Sequence, residues 1–260
     1  MRDFALRPPA GLSRRSLRVG ATVLVALALA GCNASSTREA SSGSQNLRIA
    51  DAAISSGSPA VGLQILDGIL ATNPGNTDAL LRQGKAHLML GNATGAETSY
   101  RRALAIDSHL TEARAGLGKV IMASNPAEAE KMFTDVLAVE PKNTAVMNNL
   151  GVARDLQGHH AEAQEAYHQA LLIAPDLASA RQNLGLSLAV SGKADEGVSV
   201  LGPLAGNNRN DRRVRDNYAV ALTLTGHTSE AGQVLREEMN PSDVNSALNG
   251  YRALYAPAGP

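Results

Sequence analysis

From Thr144 to Pro175 the small and apolar residues fall into two runs at helical spacing. Leu150 and Gly151 lie in the first; Ala163, Tyr167, Ala170 and Leu171 lie in the second, and Gly158 stands between them. Recurrence at three and four residues predicts helix, and a permissive glycine between two such runs predicts a reversal of the chain. Gly151 has no side chain, so the second helix can approach closely there. Ala163 and Ala170 are small where the helices touch, Tyr167 fills the space between them, and Pro175 ends the second helix.

The pattern returns at a period of 34 residues. The units fall near 43–76, 77–110, 111–143, 144–177, 178–211 and 212–241, followed by an apolar-periodic segment at 242–255. The third is one residue short, and Asn125-Pro126 with Glu128 supplies a cap, a first helical position and a first-turn acid there. In the fifth, Gly197 replaces the usual Ala and Gly202-Pro203 predicts a kink or early helix end near 202. After Pro241, Ser242 is placed to cap a final helix carrying Val244, Leu248, Tyr251, Leu254 and Tyr255. Residues 256–260 read as a disordered tail.

Two-helix units of this length and spacing resemble tetratricopeptide repeats (TPR). The expected fold is all-α, a right-handed TPR superhelix (α-solenoid) of about six helix pairs with a C-terminal capping helix. Nothing in the pattern signals a strand.

The first 31 residues break the pattern. Arg2, Arg7, Arg14, Arg15 and Arg18 precede an apolar run from Val19 to Ala30. Twelve residues are short for a bilayer span but suit the core of a secretory signal. The run ends in Leu29-Ala30-Gly31-Cys32, which resembles the lipobox of bacterial lipoproteins. An ordinary signal with a buried Cys, or a membrane-anchoring helix, is the alternative. The resemblance implies a signal peptide at 1–31, a covalent lipid on Cys32 and, with Asn33 rather than Asp next, the periplasmic face of the outer membrane. Residues 32–42, rich in Ser and Ala, then read as a flexible lipid-anchored tether.

Composition narrows the function. Residues 1–31 hold five Arg and one Asp, leaving 19 basic against 23 acidic residues beyond them. A net charge of −4 with only 3% aromatic residues argues against nucleic-acid binding. The single Cys excludes an internal disulfide framework. Gly116-Leu117-Gly118 lacks the third glycine of a dinucleotide loop, and Gly84-Lys85, Gly118-Lys119 and Gly192-Lys193 lack the following Ser or Thr of a phosphate loop. His159, His160 and His168 do not form a metal-ligand set, and the first two read as solvated turn residues beside Gly158. No catalytic residue, metal site or cofactor is expected; the chain reads as a non-enzyme.

Binding is expected on the face formed by the first helix of each pair. Asn149, Asn183 and Asn217 share the sixth position of their units. Such amides could bond the backbone of an extended peptide, or could be simply what TPR units carry there. Val152 and Leu156, Leu186 and Val190, and Val220 and Leu224 fill the ninth and thirteenth positions. They predict an apolar stripe, extended by Met122 and Met89, for an amphipathic helix or apolar peptide. Superhelix closure or the tether could instead cover it. Arg212, Arg213 and Arg215 could read an acidic partner, but they fit better a solvated helix end beside Asp211 and Asp216.

Taken together, the chain resembles the TadD family, TPR lipoproteins of the tight-adherence (Flp) pilus assembly machinery. The resemblance rests on the lipobox, Asn148-Asn149-Leu150-Gly151 and Gln182-Asn183-Leu184-Gly185-Leu186. It rests further on Leu201-Gly202-Pro203-Leu204-Ala205, Arg213-Val214-Arg215-Asp216-Asn217 and Tyr251-Arg252-x-Leu254. It implies a scaffold that helps the pilus secretin reach or assemble in the outer membrane, with a secretin or another pilus component as partner. A type IV pilus secretin pilotin and an adaptor for peptidoglycan hydrolases are the other readings.

Overall fold

The computed structural model describes residues 43–207 and 211–255. The signal at 1–31, Cys32, the tether and the tail at 256–260 lie outside the described residues. Thirteen helices and no strand occur among those described. None of these helices is long and apolar enough to cross a membrane.

The chain forms two compact units, one ending at Pro74 and the other beginning at Gly75. In the first, α1 (43–55) pairs with α2 (Pro59–Thr72). Their approach is tight at Gly62, where an added Cβ would lie 2.5 Å from Ile54 Cγ1 and 3.3 Å from the Ala50 carbonyl. Pro59 occupies the first turn of α2, where its missing N–H is no loss.

The second unit continues with α3 (Thr77–Met89), α4 (Ala93–Ile106), α5 (Thr111–Ile121) and α6 (Pro126–Val139). There follow α7 (Thr144–Asp155), α8 (His160–Ile173), α9 (Ala178–Val190) and α10 (Ala194–Asn207). It ends with α11 (Arg212–Leu224), α12 (Thr228–Leu235) and α13 (Pro241–Tyr255). Each odd-numbered helix from α3 to α11 packs on the helix after it, and each pair packs on the next.

One contact is repeated within the pairs. A glycine on the first helix receives a bulky side chain from the second: Gly84 and Tyr100, Gly118 and Phe133, Gly151 and Tyr167, Gly185 and Leu201. A Cβ at any of the four would lie within 2.8 Å of that side chain. The small residue sets the spacing and the large one fills it, as close packing requires.

The reversals have their own chemistry. Gly57, Gly91, Gly158, Gly192 and Gly226 turn the chain with φ between 71° and 90°, a region closed to most L-residues. The short third repeat needs no such glycine. There Asn125 caps α6 by accepting from the Glu128 N–H at 3.3 Å, its amide donates to Glu128 Oε2 at 2.7 Å, and Pro126 opens the helix.

Two local expectations are corrected. Of the kink or early end expected near 202, the early end does not occur: α10 continues through Pro203 to Asn207. Pro203 leaves the Ser199 carbonyl without its helical donor, yet both residues are exposed, so water replaces the bond. Gly197, where Ala is usual, has a packing reason. It is buried, and a Cβ there would lie 2.7 Å from the Gly185 carbonyl, so its absence lets α10 approach the α9 backbone. The cap of α13 is Asn240, whose Oδ1 accepts from the Ser242 and Asp243 N–H groups at 3.1 Å; Ser242 lies inside the first turn.

Helix α13 closes the array. Val244 and Leu248 are buried with Ala219, Leu222, Ala231 and Leu235 of α11 and α12. The apolar face that a following repeat would otherwise cover is buried by this last helix.

Candidate functional site

First helices of neighbouring pairs touch directly, α3 with α5, α7 with α9, and α9 with α11. They form one continuous layer, except that α5 and α7 make at most marginal contact. Two sequence features open this gap. Helix α5 has 11 residues, the shortest of the first helices from α3 onward. Its fifth and sixth positions are Ala115 and Gly116, where the fourth repeat has Asn148 and Asn149.

A cavity of about 580 Å³ fills the gap, spanning α3 to α7. Lys85 and Leu88 line one side, Ala145, Val146 and Asn149 the other, and Val136 and Glu140 of α6 belong to the wall between them. Ala115 and Gly116 of α5 and Tyr100 of α4 line it as well.

The charged groups here are mostly engaged. Lys85 pairs with Glu112. Glu140 accepts from the Thr111 hydroxyl and, at 2.8 Å, from Asn143 Nδ2. Those two donors hold the Glu140 carboxyl below its ordinary value. Asn143 also caps α7 through the Val146 N–H at 3.1 Å, so one carboxylate ties the start of α5 to the start of α7. Burial, with the Glu112 charge adding to it, pushes the Tyr100 phenol up to about 12. It is therefore a hydrogen-bond donor at neutral pH.

The residues singled out from sequence are dispersed. Asn149 lines the cavity. Asn183 donates to Asn148 Oδ1 at 2.9 Å, so one of its two amide donors is held within the protein. Asn217 is half-buried on α11. The apolar positions do not form one open stripe. Val152 packs against Ala163, Tyr167, Leu184 and Leu188, and Leu224 packs against Ala189, Leu201 and Ala221. Val220 is buried, and Leu186, Val190 and Met122 are half-buried. Leu156 and Met89 remain exposed, at 54% and 56%. Turns of α7 and α11 that point toward the face at one residue point into the helix layer at the next, and these β-branched and Leu side chains follow the layer.

Two polar readings also change. His160 is not a solvated turn residue but begins α8, half-buried, with Nδ1 2.8 Å from Asp155 Oδ1. Asp155 collects further donors, the Tyr167 hydroxyl at 2.8 Å and the Ser187 hydroxyl at 2.7 Å. Among the described residues no three His, Cys, Asp or Glu side chains are grouped to hold a metal. Arg215 is not solvated: it is 6% exposed and reaches Glu238 at 2.5 Å. Arg212 pairs with Asp216 at 3.4 Å and remains exposed.

Sequence reasoning placed the site on the last three repeats and missed the cavity between repeats two and four. The available signal was a local loss of bulk, Ala115-Gly116 in the shortened unit.

Residues 47–110 and 120–184 each match a family model described as tetratricopeptide repeat. The helix pairs are tetratricopeptide repeats. No curated protein sequence matches the chain. Solved structures share the fold. A tetratricopeptide repeat protein from Parabacteroides merdae is 14% identical, with 82% of this chain and 86% of that one covered and a TM-score of 0.65. PilW, described as a widely conserved type IV pilus biogenesis factor, is 18% identical over 82% of this chain and 91% of its own, with a TM-score of 0.62. Pseudomonas aeruginosa PilF is 21% identical over 70% and 93%, with a TM-score of 0.54. The fold is thus a TPR scaffold, an architecture typical of non-enzymatic proteins that hold other proteins.

Proposed function

We propose that the chain is an outer-membrane TPR lipoprotein that acts as a protein-binding scaffold, or pilotin, in assembly of the Flp (Tad) pilus secretin. The single observation that carries this reading is a lipobox, Leu29-Ala30-Gly31-Cys32, ahead of a TPR array. Acyl chains on Cys32 would hold the array at the periplasmic face of the outer membrane, each buried CH₂ contributing about 0.8 kcal/mol. The array needs no cofactor for this role, because its work is to bind a partner and release it at the membrane. The resemblance of its Gly202-Pro203 and Arg213-Val214-Arg215 segments to TadD proteins supports the Flp assignment. A second reading, a type IV pilus secretin pilotin, is favoured by the fold shared with PilW and PilF.

Gene deletion tests the proposal directly. Heat-stable secretin multimers and Flp pili should both be lost, and Cys32→Ser should reproduce the loss while leaving the protein in the soluble periplasmic fraction. Normal multimers and pili in the deletion strain would overturn the role. Loss of type IV pili with Flp pili intact would select the second reading.

A further inference from the structure

Tyr100 and Tyr167 hold the same place in their repeats, each against a first-helix glycine, Gly84 and Gly151. Their hydroxyls end differently. Tyr167 donates to Asp155, whereas the matching residue on α3 is Leu88, which cannot accept. Tyr100 is 2% exposed, and its hydroxyl has no hydrogen-bond partner among the described residues. Every fully enclosed side-chain polar atom among those residues does have one. The Tyr100 hydroxyl is therefore not enclosed, and the space it meets is the cavity. Gly116 leaves it open: a Cβ there would lie 2.5 Å from Tyr100 Cζ. At the same position the fifth repeat carries Asn183.

Lys119 lines the same cavity one helical turn beyond Gly116. It is exposed, and no acidic group pairs with it among the described residues. The carboxylates nearby are engaged, Glu112 by Lys85 and Glu140 by Thr111 and Asn143. What remains is one neutral donor and one cation, with apolar Leu88 and Val146 also lining the cavity.

We propose that this cavity takes an extended peptide segment of the protein partner, with the carboxylate of an internal Asp or Glu accepting from the Tyr100 hydroxyl and pairing with Lys119. The inference rests on the reading that the array holds a protein partner. An internal acid fits better than a chain terminus because the lining runs from α3 to α7 and the two donors come from the elements between, α4 and α5, so a segment can pass across them. Helix axes about 8–10 Å apart give α3 to α7 a span of roughly 20 Å, about six extended residues at about 3.3 Å each. Asn149 then meets the segment's backbone, and apolar neighbours of the acid rest on Leu88 and Val146.

Fluorescence anisotropy of the full chain with a labelled, end-blocked hexapeptide, Leu-Ala-Glu-Ala-Leu-Ala, tests this. It should bind about fivefold more tightly than its Gln analogue, the scale of one charge-assisted hydrogen bond at a partly exposed site. Tyr100→Phe keeps the ring in place and should erase most of that preference, as should Lys119→Gln, each with an unchanged circular dichroism spectrum. Equal binding of the Glu and Gln peptides, a preference unaffected by both variants, or binding only by peptides with a free C-terminus would overturn the proposal. Loss of secretin multimers on gene deletion without any Glu preference would sink this inference alone; normal multimers would sink the function whatever the peptides do.

Discussion

Tyr167 on α8 donates its hydroxyl to Asp155 on α7 at 2.8 Å, across the helix pair whose spacing Gly151 sets. The same carboxylate takes the Ser187 hydroxyl of α9 and lies beside His160. One acid thus joins two successive repeats. Burial first, then the Asp155 charge and hydrogen bond, push the Tyr167 phenol far above its ordinary value, so it stays a donor at every physiological pH.

Tyr167→Phe removes only this donor. It should lower stability by about 1.5–2 kcal/mol, the scale of a hydrogen bond to a charged group. Asp155→Ala strands both hydroxyls and should cost more, about 2–4 kcal/mol. Urea unfolding followed by circular dichroism measures both, and equal costs would contradict the shared-acceptor account.

Glycine substitutions should separate by environment. At Gly151 a Cβ would lie 2.4 Å from Tyr167 Cε1, against a rigid buried ring. Gly151→Ala should therefore destabilise by about 1–3 kcal/mol despite the better helix propensity of Ala. Gly68, inside α2, has nothing within 4 Å of its added Cβ, so Gly68→Ala should stabilise by about 0.5–1 kcal/mol. Thermal unfolding reads the opposite signs.

Pro203 interrupts the hydrogen bonding of α10 on an exposed face. Pro203→Ala restores the N–H toward Ser199 and should stabilise by about 1–3 kcal/mol. A loss of stability would mean that the proline's restriction of the unfolded chain outweighs the missing bond.

Two carboxylates predict an acid limb. Burial alone would raise Glu130, but hydrogen bonds from Arg154 and Gln157 outweigh it and lower it. The Thr111 and Asn143 donors lower Glu140. A carboxylate held below its unfolded value stabilises fully above that value, about 4.3, and the contribution is lost as pH falls through the folded value. Melting temperature should therefore be flat from pH 7 to 5 and fall below about 4.3. Glu140→Gln should make that fall shallower, because Gln cannot be protonated on folding's account.

The helix pairs were legible because their signals are local. In the second, fourth and fifth repeats a glycine eight residues into the unit, an aromatic or Leu sixteen further on and a turn glycine between them state a helix hairpin without reference to distant residues. Positions facing the binding layer were less legible. Val152 lies on α7 and Leu156 caps its end four residues on, yet the first packs toward Tyr167 and Leu184 while the second stays exposed. Which side of the layer each meets depends on the neighbouring repeat.

Period, helix and turn chemistry, and the order of the pairs follow from residues near one another in the chain, since backbone conformation is chosen locally. The opening between α5 and α7, the uncovered Tyr100 hydroxyl and the burial of Arg215 belong to the tertiary structure. They depend on what lies opposite in space, Gly116 of the next repeat for Tyr100 and Glu238 at the far end of its own repeat for Arg215, and packing settles that only when the array is assembled.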